Sequence, residues 1–525
     1  MLESDKKNNN PPTLVSAGLV LARYIGKSYI PLLQRQFKDR KFVPPLENLL
    51  LLLPATDLAQ AIRNREISSV AVVQAYIDRI KEVNPVLNAV IEDRFEAALS
   101  DAKKADELCR KLTVDELKEK FPLLGVPFTA KEAVGVEGMS HHVGVAERKG
   151  MKCEEEGPVI SNLRKAGAIP ICVTNVPEWC LSWETYNVIN GRTFNPYNTT
   201  YSPGGSSGGE SALLASAASI FGVGSDFMGS CRLPAMFCGV FGHRPTNPLL
   251  SVEGSLPVFP DKVIEKILAL GPLCRYAKDL PLLLKIMAGD NAELADLDTP
   301  VDLKNIRILY PDSYASGAEN IPIEEELEEK IESAAQALQE AGCNVTKVKI
   351  EYRGLFEKLI SKYLSADLRE VNEMTDFATT FLGCLKEYGK WVVGKSDHDI
   401  YAIHGQFLMK HKKLYVRLTK FVPLCDEYEK EIKDLLGNDA VLLFPTYATS
   451  AYKHHGTVGA LPGYVYGLLP SVFNLPATTV PMGLNKNGLP LGFQVIGGPF
   501  KDKLCFTVAQ FLEQKFGGWV PPPSQ

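Results

Sequence analysis

The sequence predicts an α/β fold: one large domain on a mixed central β-sheet flanked by helices. Three observations predict it. Helix-period and strand-like apolar segments interleave from residue 55 almost to the carboxyl end. No 20–50-residue repeat recurs, which argues against solenoids and propellers. No linker or low-complexity stretch interrupts residues 55–518, so the 525-residue chain reads as one large domain. Hydrophobic residues at 45% and charged residues at 23% are the proportions of an ordinary folded core.

Residues 12–35 (PTLVSAGLVLARYIGKSYIPLLQR) are apolar but hold Arg23 and Lys27. A spanning helix needs roughly 20 mainly apolar residues. The run therefore reads as an interfacial anchor helix or a weak span, with a helix packed on the body as the alternative. The start, MLESDKK, is unlike a secretory signal. Basic, proline-flanked residues 36–46 read as a linker. Val72, Val73, Tyr76, Ile77, Ile80 and Val83 then recur at helical spacing until Asn84-Pro85 ends the run. Phe95, Ala98, Leu99, Ala102 and Ala105 repeat the pattern. PLLGVPFTAK (122–131) reads as a buried strand ending at Lys131, followed by a helix near 158–167 and a strand over 168–175.

Loop 176–207 is long and polar, and rich in aromatics, as functional loops often are. Its Trp179, Trp183 and Tyr186 read as core or channel lining. A small-residue helix (208–219), a strand (220–226) and a tight turn, FMGSCRLPA, come next. The later half predicts helix 323–341, strand 345–350, helices from about 353 to 436, strands at 440–445, 478–483 and 491–497, and a helix over 503–515. Helix 403–436, with Phe407, Leu408, Leu414, Leu418 and Phe421, reads as core, or as a lipid channel.

Lys and Arg total 57 against 62 Asp and Glu, a net charge of −5. Without a basic stripe, this argues against a nucleic-acid binder. The eleven cysteines form no C-x-x-C pair, so they read as buried small hydrophobes of a reducing compartment. The pairs His141-His142 and His454-His455 have poor metal-ligand spacing, and no metal or cofactor is expected.

YSPGGSSGGESALL (201–214) admits three readings. A phosphate loop lacks its Lys-Ser/Thr ending and its strand-GxGxxG-helix order. A nucleophile elbow fits G-x-S-x-G over Gly204 to Gly208, but NPYNTTYSP is no strand and a histidine partner is unsupported. The third is a helix start capped by Ser207. Two other features bear on the choice. A lysine ending an apolar strand is costly to bury charged, and its neutral amine is a competent general base. Ser230 follows Gly229 in a tight strand-to-helix turn, where amides can face a developing oxyanion. Lysine, glycine-flanked serine and turn serine together make a triad without histidine.

GVPFTAKEA, YSPGGSSGGESALLA, GVGSDFMGSCRLPAMFCGVFGHRPT and NLPATTVPMGLNKNGLPLGFQVIGGP occur in order. With them the chain resembles the amidase signature family of serine hydrolases, from about residue 50 to the end. The resemblance implies that Lys131 is the base, Ser206 the cis-serine that relays the proton, and Ser230 the nucleophile of an acyl-enzyme. It puts the backbone amides of Phe227, Met228, Gly229 and Ser230 at the oxyanion hole, with Ser207, Asp226 and Arg232 in support. It implies residues 46–525 as the amidase domain and 1–45 as an apolar and basic segment, a candidate membrane anchor. The family's D-I-G-G-S stands here as Asp226-Phe227-Met228-Gly229-Ser230. A methionine is strained there if the position needs a positive φ.

The expected function is hydrolysis of fatty-acid amides (primary amides or N-acylethanolamines) or related esters. The expected substrate is a small-molecule lipid amide, with membrane contact through 12–35, an intracellular or cytoplasmic site, and a homodimer as a candidate assembly. Two alternatives stay open: an impaired, acyl-binding pseudo-hydrolase, motivated by Met228, and an amidotransferase-type enzyme acting on small polar amides.

Overall fold

A computed structural model describes residues 31, 34–258, 262–316, 320–365, 381–393, 395–403, 419–457 and 461–524. Thirteen strands are present among them: β1 (Val90–Asp93), β2 (Pro127–Lys131), β3 (Ile169–Thr174), β4 (Tyr186–Asn187), β5 (Gly191–Arg192), β6 (Phe221–Asp226), β7 (Phe241–Arg244), β8 (Ala269–Cys274), β9 (Arg307–Pro311), β10 (Asn344–Val348), β11 (Ala440–Pro445), β12 (Ala477–Leu484) and β13 (Pro490–Gly497). Eleven form one sheet in the order β1-β3-β2-β6-β8-β7-β12-β13-β11-β9-β10, and β4 and β5 pair separately. The sheet is mixed, as expected. β2 runs parallel to β3 and β6, and β9 parallel to β10 and β11, while the other neighbours are antiparallel. Helices cover both faces, so every residue of β2, β3, β6, β8, β11 and β13 is buried. That double burial is why these strands read as apolar runs rather than alternating ones.

The helices used below are α1 (Ser69–Leu87), α2 (Phe95–Lys111), α3 (Pro158–Lys165), α4 (Gly208–Ala215), α5 (Arg232–Phe237), α6 (Glu325–Glu340), α7 (Leu355–Ser365), α8 (Val465–Val472) and α9 (Asp502–Phe516). α2, α3, α6 and α9 fall where periodicity places them.

Several boundaries differ from expectation, each for a local reason. α1 runs through Pro85 to Leu87. A proline in the last turn forfeits a single N–H bond. The Asn84 side chain then holds the N–H groups of Ala89 and Val90, at 2.8 and 3.0 Å. Residues 122–126 are turns, with Gly125 at φ +72°, so β2 begins only at Pro127. α4 ends at Ala215 because Ser216 Oγ donates back to the Ala212 and Leu213 carbonyls and Ala217 adopts φ +59°.

The expected linker 36–46 is instead docked on the body. Arg40 donates to the Tyr197 carbonyl at 2.8 Å and the Lys41 N–H to Thr199 Oγ1 at 2.7 Å. Between 353 and 436 the described residues form α7 and the helices Phe381–Val392 and Val422–Leu436. Phe407, Leu408, Leu414, Leu418 and most of segment 12–35 lie outside the described residues. All eleven cysteines are free thiols, and only Cys180 is not buried.

Candidate active site

β2 and β6 are parallel neighbours, with Thr129 opposite Gly222 and Ala130 opposite Val223. Parallel neighbours finish at the same edge of the sheet, so Lys131 and the Ser225-Asp226 end of β6 arrive together. Along β2, Phe128 and Ala130 face one way, and Thr129 and Lys131 the other. The Phe128 ring stacks on Phe221 at 5.5 Å. Lys131 is fully buried, and its Nζ donates to Ser206 Oγ at 2.6 Å and to Ser225 Oγ at 2.8 Å. The Cys180 thiol group is shielded from water near this pair, and that desolvation pushes it up.

Ser206 sits in the loop entering α4, and its peptide bond to Gly205 is cis. Gly204 has φ +81°, and a Cβ there would lie 2.8 Å from Pro234 Cα. Only glycine lets the loop press onto α5 in that conformation. The Ser207 N–H donates to the Ser230 carbonyl at 3.2 Å, tying the loop to the turn. Ser207 does not cap α4 with its side chain; its Oγ reaches the Ser225 carbonyl at 3.5 Å instead. Among the described residues no hydrogen bond joins Ser206 Oγ to Ser230 Oγ, and no histidine bonds either serine. Catalytic hydrogen bonds of this kind often close only around substrate.

Asp226, which ends β6, organises the turn before α5. Its carboxylate accepts from the Gly229 N–H at 2.8 Å, the Cys231 N–H at 3.1 Å, and Arg232 at 2.9 and 3.0 Å. Burial alone would push this carboxyl up, but Arg232, Arg244 and the Gly229 N–H hold it far below the usual carboxylate range. Arg232, also fully buried, goes on to Gln494 on β13 at 2.6 Å and to Ser471 and the Gly467 carbonyl on α8 at 2.7 and 3.0 Å. The turn is thereby fixed to the far half of the sheet.

Of the four expected oxyanion amides, Gly229 N–H is committed to Asp226. Among the described residues the N–H groups of Met228 and Ser230 donate no hydrogen bond. Gly229 carries the positive φ, +95°, and Met228 does not. A methionine at this position is therefore unstrained, and its half-buried side chain packs with Phe227 on an apolar cluster containing Leu355, Leu359, Tyr363 and Tyr466.

Ser225, Tyr363 and Glu210 were not read from the sequence. Ser225 and Glu210 each left a trace, a polar residue inside an otherwise apolar element. Tyr363 left none, because it reaches the turn from 136 residues away. Trp183 is half-buried and stacks on Tyr464 at 3.6 Å, whereas Trp179 is buried beside Ala133, Val143 and Val145.

The family model described as Amidase matches residues 71–506. This chain belongs to the amidase family. Fatty-acid amide hydrolase 2-B of Danio rerio is 38% identical over 515 residues, covering 96% of this chain and 97% of that protein. Fatty-acid amide hydrolase 2 of Homo sapiens is 38% identical over 491 residues, covering 91% and 92%. A solved fatty acid amide hydrolase superposes with TM-score 0.70 at 20% identity, covering 98% of each chain. Within the amidase family, the resemblance read from the four sequence blocks thus extends over nearly the whole chain.

Proposed function

We propose that this amidase hydrolyses long-chain fatty-acid amides to free acid and amine through an acyl-enzyme on Ser230. The observation that carries the reading is the 2.6 Å hydrogen bond from Lys131 Nζ to Ser206 Oγ, in a loop bonded to the backbone of Ser230. In its amine form Lys131 takes the Ser206 proton as Ser206 takes that of Ser230. Ser230 Oγ then bonds to the amide carbon, and the carbonyl oxygen becomes an oxyanion facing the Met228 and Ser230 N–H groups. As the C–N bond breaks, the proton returns through Ser206 to the leaving amine. Water, deprotonated by the same route, then releases the acid. Splitting the reaction into acylation and deacylation is the gain of covalent catalysis.

Full-length similarity to fatty-acid amide hydrolases 2 supports the lipid substrate. So does apolar segment 12–35, which would bring the 46–525 domain to a membrane surface. Among the described residues no helix is long and apolar enough to cross a membrane. The acyl-binding alternative loses its motive, because Met228 has no positive φ.

The test is oleamide hydrolysis by the purified chain. Turnover in the parent and its loss in Ser230→Ala is the expected result. Undiminished turnover in Ser230→Ala would overturn the reading.

A further inference from the structure

The turn between β6 and α5 is held at two successive carbonyls by aromatic donors from distant parts of the chain. Tyr363 OH donates to the Phe227 carbonyl at 2.6 Å. Trp183 Nε1 donates to the Met228 carbonyl at 3.1 Å. We infer that Tyr363 and Trp183 are positioning residues for the reaction, each aiming one peptide plane of the oxyanion-binding turn. The inference rests on the reading of Ser230 as nucleophile.

Peptide geometry makes the argument. The carbonyl of one residue and the N–H of the next lie in one plane and point in opposite directions in a trans peptide. Both peptides here are trans. Pinning the Phe227 carbonyl to Tyr363 therefore turns the Met228 N–H to the opposite side of the chain, where it donates no hydrogen bond among the described residues. Pinning the Met228 carbonyl to Trp183 does the same for the Gly229 N–H, which meets Asp226 Oδ1 at 2.8 Å. The second plane is thus fixed at both ends, and the first at its carbonyl end, with its donor left for a ligand. A donor held in place before reaction costs no reorganisation when the oxyanion forms.

Tyr363 is well placed to hold such an angle. It is 4% exposed, and its ring meets Phe227 edge-on at 5.0 Å, so the hydroxyl has little freedom. Both side chains act on backbone carbonyls, not on reacting atoms. Where relatives carry a second glycine, Met228 keeps the N–H, and its plane is aimed from outside by Tyr363.

The experiment compares Tyr363→Phe and Trp183→Phe with the parent full-length chain, reading kcat and KM for oleamide. It also reads inhibition by a long-chain trifluoromethyl ketone. Ser230 Oγ adds to the carbonyl carbon of that probe, its proton passes to Ser206, and the carbonyl oxygen becomes the alkoxide. Tyr363→Phe keeps the ring and removes only the hydroxyl. The expected result is a fall in kcat of about tenfold in Tyr363→Phe, the worth of about one lost hydrogen bond, and a smaller fall in Trp183→Phe, whose plane Asp226 also holds. KM should stay within about twofold, and the ketone should weaken by the same factor as kcat. A merely structural role would lower thermal midpoint without separating the ketone from the substrate. Parent kcat in both variants, or a ketone that weakens only as far as KM rises, would overturn the inference. If Tyr363→Phe does not fold, Trp183→Phe carries the expectation, smaller in size, through the second plane. A dead Ser230→Ala beside an unimpaired Tyr363→Phe would sink this inference alone; an active Ser230→Ala would sink the underlying reading as well.

Discussion

Lys131 and the two hydroxyls on its amine act as one unit. A buried lysine bonded to Ser206 at 2.6 Å and to Ser225 at 2.8 Å has its position determined from both sides. Only Ser206 leads on toward Ser230, through the Ser207 backbone. In the proposed reaction Ser225 therefore positions the amine, and Ser206 carries the proton. Replacing Lys131 by Met keeps the bulk and removes the base. The rate at which Ser230 is labelled by a fluorophosphonate should fall by about 10²–10⁴-fold, the usual worth of a general base. Groups acting as a unit are not additive. The Lys131→Met/Ser206→Ala double variant should thus label no more slowly than the slower single variant. A multiplicative double loss would separate the two groups and break the relay. At this scale the grouping of Lys131 and Ser206 with the turn at Ser230 was legible because their motifs are local. The geometry of the Met228 N–H was not, because the side chain that aims it, Tyr363, arrives from another element.

Residues 34–41 behave as an element of the body. Gln34 Nε2 donates to the His454 carbonyl at 2.9 Å, and the Phe37 ring lies 4.7 Å from that of His454 and 5.7 Å from that of His455. Arg192 sits over Phe37 and pairs with the buried Glu184, which also accepts from the N–H groups of His455 and Thr457. Burial, and then the Arg192 cation, push His454 to about 3 and His455 to about 4, from an ordinary 6.5. Both rings are neutral in the folded state, and their Nδ1 atoms have no partner among the described residues. A base with a lowered folded-state value contributes stability that is present above 6.5 and lost as pH falls toward 4. Glu184, held at about 2 by Arg192 against burial, loses its contribution only below about 4.5. The thermal midpoint of the parent should therefore fall relative to that of His455→Gln between pH 6.5 and 4.5, the contributions of other groups being common to both chains. An unchanged difference would mean that this cluster does not carry the acid sensitivity.

Element by element, strands with turn residues on both sides, such as 440–445 and 491–497, stood where the apolar runs put them. Segment 122–126 did not, because a run buried on every side looks the same as strand or as turn. Docking of 36–46 left no mark either, since Arg40 and Lys41 bind through groups that any surface residue carries.

Across the whole molecule, a sheet buried on both faces must satisfy or neutralise every polar group it encloses. Asp226 and Arg232 do so as an ion pair. Glu210 on α4 does so differently. Its carboxyl meets Thr129 Oγ1 at 2.6 Å and Thr174 Oγ1 at 2.7 Å, cross-linking β2, β3 and α4 beneath Lys131. Thr129 Oγ1 also meets Ser219 Oγ at 2.9 Å, and Ser219 Oγ donates to the Phe221 carbonyl at 3.0 Å. The three contacts from Glu210 through Thr129 and Ser219 to Phe221 need three protons, and two hydroxyls supply two. Glu210 supplies the third only as a neutral acid, in agreement with its value near 7, raised by burial. Its ordinary value is 4.5. Below that, both folded and unfolded forms are protonated. As pH rises from 4.5 to 7 the unfolded form ionises first, and the folded form loses roughly 3 kcal/mol by linkage. Glu210→Gln keeps one donor and one acceptor and cannot ionise. Its stability relative to the parent should therefore grow across pH 4.5–7 and level off above. The acid losses from His454 and His455 are common to both chains and cancel in that difference. Denaturant midpoints at each pH measure it directly. A gap that stays flat from pH 4.5 to 8 would mean that Glu210 is ionised in the folded protein, with a fixed negative charge near Lys131.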